Sequence, residues 1–156
     1  MNDLVIIKEK TCAVTGHRDI PKNFDKKNLE EKLLKITDFG IDTFLIGMAV
    51  GFDTLCFKIL EKIRLKKTIR IIACIPCISQ SERFSLRDKK IYDESIESAD
   101  EKILISKEYT PYCMQKRNMF MVDNSSILLC YLRKDKGGTV NTLKYAEKKG
   151  TTIIYV

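Results

Sequence analysis

The chain has 156 residues, of which 44% are hydrophobic and 31% charged; one compact domain of that size buries a full core without disulfides or metal, and the composition excludes a disordered chain. No apolar run approaches the roughly 20 residues of a membrane span, and Met1-Asn2-Asp3-Leu4-Val5-Ile6-Ile7 places an acid where a secretory signal wants basic residues, so a cytoplasmic protein is expected. The net charge of +7 admits two anionic partners, nucleic acid or a small ligand, but Glu30, Glu31, Glu61, Asp88 and Glu147 interleave with Lys and Arg as on solvated helix faces, so a dedicated nucleic acid surface is not expected.

Residues 1–10 read as an N-terminal arm or edge strand, with Leu4 to Ile7 available as an added strand or dimer contact, and residues 11–156 as the domain. Thr11 to Thr15 reads as a short strand, Asp25 to Thr37 as a helix with Leu29, Leu33 and Ile36 on one face, and Thr43 to Gly47 as a second strand. Phe52, Leu55, Cys56, Ile59, Leu60 and Ile63 fall at helical spacing, and Ile69 to Ile75 is a nearly unbroken apolar run, as in a strand buried on both faces. Arg83 to Glu97 is helical, Lys102 to Ile105 a strand, Pro111 to Asp123 a helix, Ile127 to Leu132 a strand, Thr139 to Lys149 a helix and Thr152 to Val156 a strand. Six strands alternating with five helices specify an α/β fold, a single Rossmann-like, doubly wound and mainly parallel sheet with helices on both faces. Such sheets bind ligands beyond the carboxyl ends of their strands.

Three loops fall at that edge: Thr15-Gly16-His17-Arg18, Gly47-Met48-Ala49-Val50-Gly51-Phe52-Asp53 and Gly137-Gly138-Thr139. They hold five of the seven glycines, and glycine lets backbone approach a ligand while a helix N-terminus offers free N–H groups to an anion. Glycines also punctuate strand-helix turns for purely structural reasons; it is the coincidence of three loops that points to a phosphate-bearing ligand. Gly16 lacks the partners of a dinucleotide fingerprint, and no Gly-Lys-Ser/Thr follows a glycine loop, so neither a typical dehydrogenase nor a P-loop NTPase is expected.

His17 is the only histidine and is suited to hydrogen bonding, acid-base work or a structural turn. Arg18 could fork onto a phosphate or pair at the surface, and Asp53 could cap its helix or accept a ribose hydroxyl. The six cysteines stand singly except Cys74-Ile75-Pro76-Cys77, which lacks two further ligands for zinc and straddles a proline rather than opening a helix, so buried thiols are expected and no metal. Gln80, Glu82, Arg83 and Phe84 could form one wall of a pocket, and Tyr109 and Tyr112 could stack a base or cover a helix start.

Cys12 to Arg18, Gly47 to Asp53, Tyr109 to Asn118 with Met121-Val122-Asp123, and Gly137-Gly138-Thr139 with Tyr145-Ala146 resemble the YpsA-like family of the SLOG superfamily. That Rossmann-like group also holds the DNA-processing protein DprA and the LOG phosphoribohydrolases. The resemblance runs from Cys12 onward and implies a pocket for a nucleotide or ADP-ribose-type molecule, with the protein acting as sensor or sequestering agent in stress, cell division or phage-defence signalling, and as a homo-oligomer. It assigns ligand contacts to Thr15, Gly16, His17, Arg18, Gly47, Met48, Ala49, Gly51, Asp53, Gln80, Arg83, Arg117, Asn118, Gly137, Gly138 and Thr139.

LOG enzymes follow their glycine loop with a glutamate, used with an upstream arginine to cleave a glycosidic bond. Arg117 resembles that arginine, but Gly137-Gly138-Thr139 leads into Val140-Asn141-Thr142, with no carboxylate before Glu147. No group is then evident to stabilise an oxocarbenium ion or activate water. Binding without turnover is expected, with LOG-like hydrolysis and DprA-like nucleic acid interaction as alternatives.

Overall fold

The computed structural model describes residues 4–156. A 3-10 turn, Lys8–Lys10, leads into β1 (Thr11–Gly16), followed by α1 (Lys26–Asp38), β2 (Thr43–Ile46), α2 (Phe52–Arg64), β3 (Arg70–Ile75) and α3 (Leu86–Ser98). The chain continues through β4 (Glu101–Leu104), α4 (Cys113–Asp123), β5 (Ile127–Tyr131), α5 (Gly138–Lys149) and β6 (Thr152–Tyr155). All strands are parallel, in the order β4-β3-β2-β1-β5-β6, with Cys12 opposite Phe44 on one side and Ile127 on the other.

Alternation along the strands sorts the core into two layers. Val14, Phe44, Ile46, Ile71 and Leu129 face α1 and α2, which supply Leu29, Leu33, Ile36, Phe52, Phe57 and Leu60, with Tyr92 and Ile96 of α3 partly buried against them. Ala13, Leu45, Ile72, Cys74 and Leu128 face α4 and α5, which supply Met121, Val122 and Ala146. All six cysteines are free and buried. The doubly wound sheet expected from the alternation is the one observed.

The differences lie at element ends. The third helix starts at Leu86 rather than Arg83 because Ser85 Oγ accepts the Asp88 N–H at 3.1 Å, fixing the N-cap there. Residues 4–7 form no strand; Leu4 and Ile6 instead pack against the α4–α5 layer, and Arg70 Nη2 donates to the Val5 carbonyl at 2.8 Å. Met1 to Asp3 of the proposed arm lie outside the described residues. No helix among the described residues is long and apolar enough to cross a membrane.

Strands β1 to β4 run outward in one direction from β1, and the chain then returns to place β5 on β1's other side. The carboxyl ends of β1 and β5, where Gly16 lies opposite Tyr131, therefore mark the topological switch point, at which a crevice opens in folds of this kind.

Candidate functional site

A crevice of about 270 Å³ opens at that switch point. Its walls come from the β1 end (Val14, Thr15, Gly16, His17, Arg18), the β2–α2 loop (Gly47, Ala49, Asp53), α4 (Met114, Arg117, Asn118, Met121) and the start of α5 (Lys136, Gly137, Gly138, Thr139). Twelve of the expected contact residues thus meet around one space. A neighbouring cavity of about 410 Å³ shares Arg18 and Met114 with it and adds Gln80, Arg83, Phe84 and Tyr109.

Glycine is required where α2 meets β1. A Cβ on Gly16 would fall 2.5 Å from the Phe52 ring, and one on Gly51, at φ +86, would fall 2.2 Å from the Arg18 carbonyl oxygen. The Phe52 N–H donates to the His17 carbonyl at 3.1 Å, locking the two loops together. Gly51 therefore serves close packing rather than the crevice wall. Met48 also leaves the wall: it adopts φ 65 and buries its side chain in the α1–α3 layer at 6% exposure.

The helices opening on this edge differ in their caps. α1 and α3 are capped by Asp25 and Ser85, whose side chains accept N–H groups of the first turn. α2, α4 and α5 begin after Gly51, Tyr112 and Gly137 with no side-chain cap, and α5 opens on the crevice with no acid in its first turn. The N–H groups of such a turn favour an anion, and Lys136 lies beside them.

Three cations, Arg18, Arg117 and Lys136, line the crevice with a single carboxylate, Asp53. Arg117 is 5% exposed; its Nη1 donates to the carbonyls of Gly47 and Cys74 and its Nε to Asn118 Oδ1 at 2.7 Å. Gln80 Nε2 donates to the same Gly47 carbonyl at 2.9 Å while its Oε1 accepts from Tyr92 at 3.0 Å. Arg117 and Gln80 together fasten the β2 loop to α3 and α4, so Gln80 acts from behind the crevice. Burial holds the Arg117 pKa below its usual value, with Asp53 as the largest opposing influence. Asp53, 7% exposed, accepts the Ala49 N–H at Oδ2 (3.1 Å); burial pushes its pKa up to about 6 against the pull of Arg117, that N–H and Arg18.

His17 Nε2 accepts from the backbone N–H groups of Arg133 (2.8 Å) and Lys134 (3.0 Å), which ties the β1 loop to the β5–α5 loop. An acceptor nitrogen must be unprotonated, and burial, reinforced by Lys134, lowers the ring's pKa. Of the readings open from sequence, the hydrogen-bonding role is the one the geometry displays. Val14, Met114, Met121 and Lys136 were not among the expected contacts. The three apolar ones carry ordinary core spacing in the sequence, and only Lys136, adjoining the glycine pair, offered a signal.

The family model described as the YspA SLOG family matches residues 11–155. The chain belongs to this family. It is 31% identical to the uncharacterized SPbeta prophage-derived protein YoqJ of Bacillus subtilis, covering 81% of this chain and 85% of that one. It is 27% identical to the UPF0398 protein BH1768 of Halalkalibacterium halodurans, covering 86% and 71%. Among solved structures, the DNA processing protein A of Streptococcus pneumoniae superposes with a TM-score of 0.70 at 16% identity, over 96% of this chain and 50% of that one. The Helicobacter pylori protein of the same name gives 0.66 at 17%, over 95% and 65%. At these identities the likeness is one of fold, and the chain spans about half the length of the S. pneumoniae protein. The H. pylori structure is described as revealing a single-stranded DNA binding mode, so these neighbours lend no support to the expectation that nucleic acid is not a partner.

Proposed function

We propose that the crevice binds an anionic small molecule of the nucleotide or ADP-ribose type, held by its phosphate at the start of α5, and that the protein senses or sequesters it in the cytoplasm, as a homo-oligomer. The observation that carries this reading is the uncapped start of α5 on the crevice: α1 and α3 satisfy first-turn N–H groups with their own side chains, whereas α5 has neither a side-chain cap nor an acid in its first turn. Lys136, Arg18 and Arg117 add positive charge around the same space. The position after the glycine pair carries no carboxylate, which supports binding without turnover.

A second reading, single-stranded nucleic acid, is favoured by the adjoining cavity, where Tyr109 is 65% exposed beside Phe84, Arg83 and Arg18. The start of α5 on the crevice, with Arg18, Arg117 and Lys136 around it, argues for the small molecule.

Gly138→Glu tests the proposal. A Cβ at Gly138 meets nothing within 4 Å, so the fold should be kept while a carboxylate enters the phosphate position. In calorimetric titrations with a panel of ribonucleotides, the wild type should bind at least one and the folded variant none. Unchanged affinity in the variant, or a wild type that binds none of the panel, would overturn the reading.

A further inference from the structure

Asp53 is the buried charge that the phosphate proposal leaves unused. A carboxylate on the wall of an otherwise cationic crevice opposes a phosphate, and a group 7% exposed loses most of its hydration. Among the described residues only one of its oxygens, Oδ2, has a hydrogen-bond donor, the Ala49 N–H. Neither Arg117 nor Arg18 comes within ion-pair distance, although both lie on the same crevice. An acceptor-only group held in this way is completed by O–H or N–H donors from a ligand, never by phosphate oxygens.

We infer that Asp53 is the subsite for sugar hydroxyls, so that the crevice selects a ribonucleotide over its 2′-deoxy counterpart. The inference rests on the nucleotide reading and deepens it. Asp53 in the first turn of α2 and the uncapped start of α5 line one crevice from different elements. The site therefore has an anion-accepting end and a donor-accepting end, which is the polarity of a ribose phosphate. A 2′-deoxynucleotide offers this subsite one hydroxyl instead of two and a sugar within a DNA strand offers none, so it separates this chain's ligand from DNA.

Binding should then be linked to protonation. Around Asp53 stand Arg117 of α4 and Arg18 of the β1 loop, the thiols of Cys56 and Cys74, and Asp88 and Tyr92 of α3 across a small adjoining gap. Burial pushes the pKa of this carboxyl group up to about 6. Ligand hydroxyls donating to it favour the ionised form, so it accepts them fully above that pH and loses the ability below it.

The test is calorimetry with the ribo and 2′-deoxy forms of AMP, ADP, GMP and GDP on the wild type and Asp53→Asn at pH 8. The wild type should prefer ribo over deoxy by about ten-fold or more, the order of a charge-assisted hydrogen bond, and Asp53→Asn should reduce that ratio to about two-fold or less. The isosteric variant should fold, since it removes a buried charge. The wild type alone supplies a second readout: its ribo-to-deoxy ratio should shrink toward one between pH 8 and pH 5, phosphate titration cancelling in the ratio. Equal affinity for ribo and deoxy forms in the wild type would overturn the Asp53 assignment while leaving the nucleotide reading standing. Binding of none of the eight compounds would overturn both.

Discussion

The two ends of the sheet are closed by different means. At the amino ends, backbone bonds run from strand to strand: Asp42 N–H to Lys10, Arg70 N–H to Asp42, Asp100 N–H to Ile71, Ser126 N–H to Thr11 and Thr152 N–H to Ser126, all between 2.8 and 3.2 Å. At the carboxyl ends, backbone bonds such as Phe52 N–H to His17, Ile105 N–H to Ile75 and Val156 N–H to Cys130 are joined by side-chain fasteners, with Arg117 and Gln80 on the Gly47 carbonyl and His17 on the Arg133 and Lys134 N–H groups. The β1–β5 junction shows the contrast within one strand pair, backbone at its start and imidazole at its tip. The carboxyl end is also where α5 starts on the crevice with first-turn N–H groups that no side chain caps. The open end is therefore the one on which chemistry can act.

The largest expected break in this contrast comes from glycines. Gly51→Ala at the carboxyl end combines φ +86 with a 2.2 Å clash against the Arg18 backbone; it should cost about 3 kcal/mol or more, or prevent folding. Gly40→Ala at the amino end has φ +94 but nothing within 4 Å of the new Cβ, and should cost only about 1 kcal/mol. Urea unfolding of both variants measures the difference, and equal losses would refute the claim that the crevice loops are the more closely packed.

A smaller effect is expected at His17. Because its folded pKa lies below the unfolded value of 6.5, its contribution is fully present above pH 6.5 and is lost as pH falls through the folded value. His17→Ala should cost about 1 kcal/mol at pH 8, the worth of exposed hydrogen bonds, and progressively less as the pH falls below 6.5. Once exchange is corrected for its intrinsic slowing in acid, protection of the Arg133 and Lys134 amides should fall on acidification in the wild type, while protection of Ser126, in the backbone belt, should not respond in the same range. Coincident acid responses at both ends would remove the distinction.

The fold was legible because each element carries its own period: the apolar run before Cys74 and the helical spacing of Phe52, Cys56 and Leu60 need no distant partner. The edge loops were legible from glycine placement. What sequence left open was the function of particular side chains within them. Arg117 reads as a ligand arginine, yet its first partners are Asn118 and two carbonyls, one 70 residues away. His17 meets amides 116 and 117 positions along the chain, a pairing set by the β1–β5 adjacency and by no local pattern. Met48 carried no sign of turning inward, because its left-handed backbone is imposed by the loop around it.

The most direct test of a small-molecule anion site at the start of α5 is the salt dependence of affinity at the carboxyl edge, measured for ADP and for a single-stranded oligonucleotide on the wild type and Gly138→Glu. A ligand held by backbone N–H groups and two or three cations in a crevice should weaken only modestly with salt, whereas an oligonucleotide covering many surface charges weakens steeply. The account predicts ADP binding with a shallow slope that Gly138→Glu abolishes. Tighter binding of the oligonucleotide at physiological salt, with a steep slope and no response to Gly138→Glu, would contradict it.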